Sequence, residues 1–287
     1  MSRLFTFGCS FTKYKWDTWA DILGKQFDSY KNYGKAGSGN QYALNQLTES
    51  YLRDNINSND TVAIMWSTTY REDRFVKGHW KHTGNVFKGT YPDNWVDDWC
   101  DPEGFLIRDL SLVTSAKLAL DNIGCKYYMF QMMDIKNSCV DFEYSTQLHS
   151  TQGVFKKFFG KKSTGNKYIE LYKPVLDRLY PSVYEVVFDN DWYSREDELN
   201  YELVDIKEVL ADKWDIWKGA DWPSLDEWTK GAQSSIDQEI EGYIKDLNIT
   251  TIDKKYYKLY DYHPTTSMHL KYLQTVLPEY DKLGNEL

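Results

Sequence analysis

The sequence predicts a three-layer α/β fold: a doubly wound, mostly parallel sheet with helices on both faces. Three observations predict it. Short apolar runs alternate with amphipathic helical stretches from Arg3 to Met133, the rhythm of successive β-α-β units. The run Thr61–Trp66, TVAIMW, is apolar without a polar alternate and reads as the central strand. The junctions that follow the strands carry glycine, serine or histidine, which places the polar chemistry at the edge where open α/β sheets bind ligands.

Each element follows from its local pattern. Arg3 to Gly8 is a buried strand that runs into Gly-Cys-Ser. Trp16 to Phe27 is a helix with Trp19, Ile22 and Leu23 on one face. Ser29 to Tyr33 is a second strand. Gly34 to Asn40 contains three glycines and forms a tight loop, and Gln41 to Asn55 is the next helix. After the central strand, Glu72 to Pro102 is polar and aromatic without a clear period. Gly104 to Ile123 is a long helix, and Lys126 to Met133 a further strand. Ser234 to Leu247 and Thr265 to Leu283 are later helices, the last one closing the fold. The chain is therefore read as one domain, 1–287, with insertions at 72–102, 134–167 and 189–231. The third insertion carries Trp192, Trp214, Trp217, Trp222 and Trp228 among many acids. It is expected to form short helices capping one end of the sheet, because long segments of this kind often serve as lids. The tryptophans could stack on sugars, or simply form the core of the cap.

Composition excludes several function classes. The chain has 287 residues, enough to bury a core without covalent staples. Its net charge of −9 repels phosphate backbones, so no nucleic-acid partner is expected. No stretch approaches the roughly 18 apolar residues that span a bilayer, so no membrane partner is expected either. The N-terminus lacks a cleavage pattern, and the expected location is the cytoplasm, or a virus particle that carries the protein. Cys9, Cys100, Cys125 and Cys139 show no close pairing and no zinc spacing. Reduced thiols, no metal and no cofactor are expected. His79 and His82 lie in a polar insertion and read as solvated. His149 has no partner in the sequence, and Lys156 to Lys162 reads as a solvated basic edge.

Three junctions carry candidate chemistry. In Gly8-Cys9-Ser10-Phe11-Thr12, a serine follows a buried strand and a glycine, where its hydroxyl is exposed and nearby backbone N–H groups share its space. Its alternative is a cap for the next helix. In Asn32-Tyr33-Gly34-Lys35-Ala36-Gly37-Ser38-Gly39-Asn40, the glycines let backbone approach a substrate and aim N–H groups at an oxyanion. Its alternative is an ordinary turn with Asn40 as helix cap. In Asp261-Tyr262-His263-Pro264, residues two apart share a face of an extended segment, so Asp261 can orient His263. Its alternative is a turn with a local Asp cap. Arg71, just past the central strand, could bind a substrate carboxylate or phosphate, or pair with acids nearby.

Taken together, GCSFT, NYGKAGSGN and DYHPTTSMH resemble the serine, glycine and histidine blocks of the SGNH/GDSL hydrolase superfamily, in that family's order. The resemblance covers the sheet framework, about 150 residues as an order of magnitude for such a core. It implies a flavodoxin-like sheet of strand order 2-1-3-4-5 and a catalytic triad of Ser10, His263 and Asp261. It also implies oxyanion donors from the N–H groups of Ser10 and Gly37. The family carries an Asn after its central strand, where this sequence reads Trp66-Ser67-Thr68-Thr69. Thr68, or else Ser67, stands at that position, and its hydroxyl can donate one hydrogen bond. Asp261 and His263 are separated by one residue, where the family has two. The abundance of Asn, Asp, Lys and Tyr, with the altered Asn block, resembles phage-encoded versions of the fold.

The implied activity is serine-dependent hydrolysis of an acyl ester, with a small-molecule or glycan ester as partner and an O-acetylated carbohydrate as the favoured substrate. Two alternatives use the same fold: acyl transfer onto a sugar, and a catalytically weak binding or structural module of a virus particle.

Overall fold

The computed structural model describes residues 2–14, 17–86, 91–135, 166–188, 203–205, 256–258, 263–264 and 266–279. The chain divides into two compact units, one made of Met1–Asp197 with His263–Leu287 and the other of Glu198–Tyr262.

The first unit is built on a parallel sheet. Strands β1 (Arg3–Phe7), β2 (Ser29–Asn32), β3 (Thr61–Trp66) and β6 (Lys126–Gln131) lie in the order β2-β1-β3-β6, all parallel. This is the start of the expected 2-1-3-4-5 order. The fifth position is reduced to one parallel bridge between Gln131 and Ser182, flanked by bonds from Tyr180 N–H to the Met129 carbonyl and from Tyr184 N–H to the Met132 carbonyl. Every residue of β3 is buried, as a strand covered on both faces requires.

Period-two alternation sends successive side chains to opposite layers. Phe5, Phe7, Val62, Ile64, Trp66 and Met129 face α2 (Asn40–Asp54) and α4 (Pro102–Ile123), where Ala43, Leu47, Leu106, Leu110 and Val113 complete one core. Leu4, Ala63, Met65, Tyr128 and Phe130 face the other way. They meet Trp19, Ile22 and Leu23 of α1 (Trp19–Gly24), Val187 of α7 (Val183–Phe188), and Tyr272 and Leu273 of α8 (Thr266–Val276). The result is the expected three-layer α/β/α arrangement. Short helices α5 (Asn166–Leu171) and α6 (Lys173–Leu176) follow β6 in the chain.

Two elements differ from the sequence expectation. Helix α1 starts at Trp19 because Thr18 and Asp21 form a capping box, the Thr18 hydroxyl accepting from Ala20 N–H and Asp21 accepting from Thr18 N–H at 2.9 Å. The 72–102 segment is ordered in its first part as an antiparallel hairpin, β4 (Arg71–Val76) and β5 (His79–Asn85), followed by α3 (Asp93–Trp99). The hairpin turns on Lys77 and Gly78, both at positive φ (51° and 83°), the geometry of a two-residue type I′ turn.

In the second unit, β7 (Leu203–Asp205) pairs antiparallel with β8 (Tyr256–Lys258). Leu203–Asp205, within the segment expected to be helical, is thus a strand. The rest of 189–231, with its five named tryptophans, lies outside the described residues. So do the 234–247 helix, His149, Cys139 and the 156–162 basic run. Among the described residues no helix is long and apolar enough to cross a membrane.

Candidate active site

The serine junction is shaped by a glycine. Gly8 has φ +149°, and a Cβ there would run into Thr12 Oγ1 and lie 2.7 Å from the Met65 carbonyl oxygen, so a larger residue does not fit without displacing β3 backbone. The chain then makes one tight turn, with Thr12 and Lys13 N–H both donating to the Cys9 carbonyl at 2.9 and 3.2 Å. The Thr12 carbonyl accepts from the Thr18 hydroxyl (2.7 Å) and from Asn32 Nδ2 (2.8 Å). Ser10 sits in this turn at 5% exposure. Helix α1 is capped by Thr18, so Ser10 does not serve as its cap. Among the described residues, Ser10 N–H and Oγ make no hydrogen bond to protein.

The glycine loop docks on that turn. Lys35 N–H donates to the Gly8 carbonyl at 3.0 Å, and the Ser38 hydroxyl donates to the Gly8 and Lys35 carbonyls at 3.1 and 2.7 Å. Partial burial lowers the pKa of the Lys35 amine. Gly37 has φ +74°, and its N–H donates to no acceptor among the described residues. Asn40 is not the cap of α2. Gly39 occupies that position, and the cap is supplied across space by Asp73 of β4, which accepts from Gly39 N–H (2.8 and 3.0 Å) and Tyr42 N–H (2.9 Å).

Asn40 instead braces the end of the central strand. Its Oδ1 accepts from Ser67 N–H at 2.7 Å, while its Nδ2 donates to the Ser67 carbonyl (3.2 Å) and to Asp109 (2.7 Å). Ser67 and Thr68 are both buried. Among the described residues the Ser67 hydroxyl has no hydrogen-bond partner. Asp109 is fully buried beside Arg108, and burial raises its carboxyl to about 6 against the opposing pull of that guanidinium. Arg108 also reaches Glu72 and the carbonyls of Thr69 and Arg71. Arg71 donates from Nη1 to the Ser38 carbonyl at 2.7 Å, so its guanidinium is engaged with the glycine loop.

His82 corrects the sequence expectation of a solvated histidine. Its side chain is 4% exposed, Nδ1 lies 3.1 Å from Asp73 Oδ1, and Nε2 is buried without a partner among the described residues. The reason is cross-strand register, which sets Asp73 directly opposite His82. The Lys77-Gly78 turn is a weak sequence sign of a hairpin, but it does not give the register that sets Asp73 against His82.

His263 lies against the serine turn. Its ring stacks on Tyr14 at 4.0 Å between centroids and is tilted against Phe11 at 5.5 Å. Phe11 in turn meets His269 of α8 edge-on. The bond from the Thr266 hydroxyl to the Asp17 carbonyl (3.0 Å) ties the same two chain segments together. The structure therefore brings Ser10's turn, the Gly37 loop and His263 to one region. Asp261 lies outside the described residues. Sequence reasoning missed Tyr14, Asp73, Asn40's bracing role and the Arg108–Asp109 pair. Among the described residues no group of three His, Cys, Asp or Glu side chains is placed to hold a metal ion.

No family model matches the chain, and no curated protein matches it. Among solved structures, the chain is similar to a member of the lipolytic protein G-D-S-L family from Veillonella parvula. That similarity has a TM-score of 0.32 and 13% sequence identity, over 67% of this chain and 82% of that one.

Proposed function

We propose that the protein is a serine-dependent ester hydrolase acting on an acyl ester. Ser10 Oγ attacks the ester carbonyl, and His263 takes the serine proton and returns it to the departing alcohol. Water, activated by the same histidine, then cleaves the acyl-serine. Asp261 orients His263. The N–H groups of Ser10 and Gly37 receive the oxyanion, with the Thr68 or Ser67 hydroxyl as third donor. An O-acetylated carbohydrate is the favoured substrate, on the strength of the tryptophan-rich 189–231 segment.

The observation that carries this reading is the packing of His263 on Phe11, in the turn that holds Ser10, and on Tyr14 just past it. The N–H groups of Ser10 and Gly37, which meet no acceptor among the described residues, support it. A fluorophosphonate probe should label the wild type at Ser10, identified by peptide mass. Turnover of acetyl, longer acyl and sugar esters should vanish in Ser10→Ala and in His263→Ala. Product formation on an added sugar acceptor would move the assignment to acyl transfer. Absence of both labelling and turnover would sink the enzymatic reading and leave a binding module.

A further inference from the structure

Two elements hold the glycine loop. The serine turn supplies the Gly8 carbonyl, as described above. The β4–β5 hairpin supplies the rest. Arg71 binds the Ser38 carbonyl at 2.7 Å, and Asp73 binds Gly39 N–H at 2.8 Å, so the peptide unit joining Ser38 to Gly39 is pinned at both its oxygen and its nitrogen. The preceding unit is fixed by Ser38 N–H on the Lys35 carbonyl at 3.2 Å. Asp73 also takes Tyr42 N–H and is braced from behind by His82 Nδ1.

Both glycines admit the hairpin. A Cβ on Gly39 would stand 2.8 Å from Arg71 Cβ and 2.9 Å from Asp73 Oδ2, and one on Gly37 would stand 3.3 Å from the His82 carbonyl. A loop with glycine at 37 and 39 has much backbone freedom of its own. A donor that is to meet a developing oxyanion needs its position fixed to within about 0.5 Å by surrounding bonds. Asp73 is 1% exposed in its side chain, and its charge faces the N-terminus of α2, where a carboxylate is favoured.

We infer that the β4–β5 hairpin is the positioning element of the oxyanion site, with Arg71 and Asp73 as positioning residues that fix the Gly37 N–H. The inference rests on the hydrolase reading above, and it gives Arg71 a task other than binding a substrate anion.

The test uses the full chain with Arg71→Met, Arg71→Lys and Asp73→Asn, read by amide hydrogen exchange across 34–40 and by hydrolysis of p-nitrophenyl acetate. Loosening the loop should speed exchange there by about tenfold or more while β1 and β3 stay protected. It should also lower kcat by about 10- to 100-fold with KM nearly unchanged, because the oxyanion exists only in the transition state. Arg71→Lys should recover part of both. Unchanged exchange in Arg71→Met and Asp73→Asn overturns the inference, as does faster exchange with unchanged kcat. If Asp73→Asn does not fold, Arg71→Met, at a half-buried site, decides alone. A wild type that neither turns over esters nor takes a fluorophosphonate at Ser10 brings down the hydrolase reading and the oxyanion role together. Exchange then still reports whether the hairpin grips the loop.

Discussion

The two faces of the sheet bury their polar groups by opposite means. On the α2–α4 face, Asn40, Asp73, His82, Arg108 and Asp109 are joined by hydrogen bonds and ion pairs, each carboxylate meeting at least two donors. On the α1–α8 face, His269 is buried with Nδ1 unpartnered among the described residues, and burial, with His263 nearby, pushes its pKa down to about 3. One face meets the cost of desolvation by pairing charges, and the other by surrendering the charge. The paired face is the one that holds the glycine loop.

Breaking the pairing should have the largest effect. Arg108→Met leaves Asp109 buried without a countercharge and should cost about 3–5 kcal/mol at pH 8, read from urea unfolding. A loss under about 1 kcal/mol would mean that Arg108 contributes little to holding the Asp109 charge.

The unpaired face should reveal itself in acid. His269 has an ordinary pKa of 6.5 and a folded value of about 3, so the unfolded chain binds the proton first. Its contribution to stability is complete above about pH 6.5 and is lost as pH falls toward 3. His269→Leu should therefore be the more acid-resistant protein, by about 3 kcal/mol at pH 4 relative to wild type after correction for their difference at pH 8. Parallel profiles for the two proteins would show that His269 is protonated in the fold.

Asp109 should behave in the reverse sense. Its folded pKa of about 6 stands above the ordinary 3.8, so the folded state binds the proton first and stability falls as pH rises from about 4 to 6. Asp109→Asn should flatten that slope by on the order of 1–3 kcal/mol, and an unaltered slope would assign it to other groups. The smallest expected effect lies at the hairpin tip. Lys77 holds φ 51° in a type I′ turn, and Lys77→Asn should raise stability by about 0.5–1 kcal/mol without touching the network, seen as a higher Tm.

The sheet was legible because its strands leave little choice. TVAIMW reads as a central strand at its observed limits, and Arg3–Phe7 and Lys126–Gln131 lie within one or two residues of the expected runs. Helix α4 ends at Ile123 as expected, before Gly124, but starts at Pro102, two residues ahead of the expected Gly104, because Asp101 caps it. The hairpin was hidden because REDRFVKGHWKHTGN has charges and aromatics on both faces of its strands, which gives no apolar alternation to read. The turns that carry the candidate residues were legible where local geometry makes them, at Gly8-Cys9-Ser10 and at the glycine loop. The site was illegible where register makes it: nothing near His82 in the sequence announces that Asp73 stands opposite, and nothing near Asn40 announces Ser67 and Asp109.

The stacking of Tyr14 on His263 joins segments at opposite ends of the chain, as does the Thr266–Asp17 bond across 249 residues. During synthesis at about 5–20 residues per second, the histidine leaves the ribosome some ten to fifty seconds after the serine turn. Strands β1, β2 and β3 can assemble in that interval, but the imidazole that packs against the serine turn does not yet exist. A nascent chain can thus hold the serine turn in an assembled sheet for many seconds before the aromatic stack of Tyr14 on His263 can close over it.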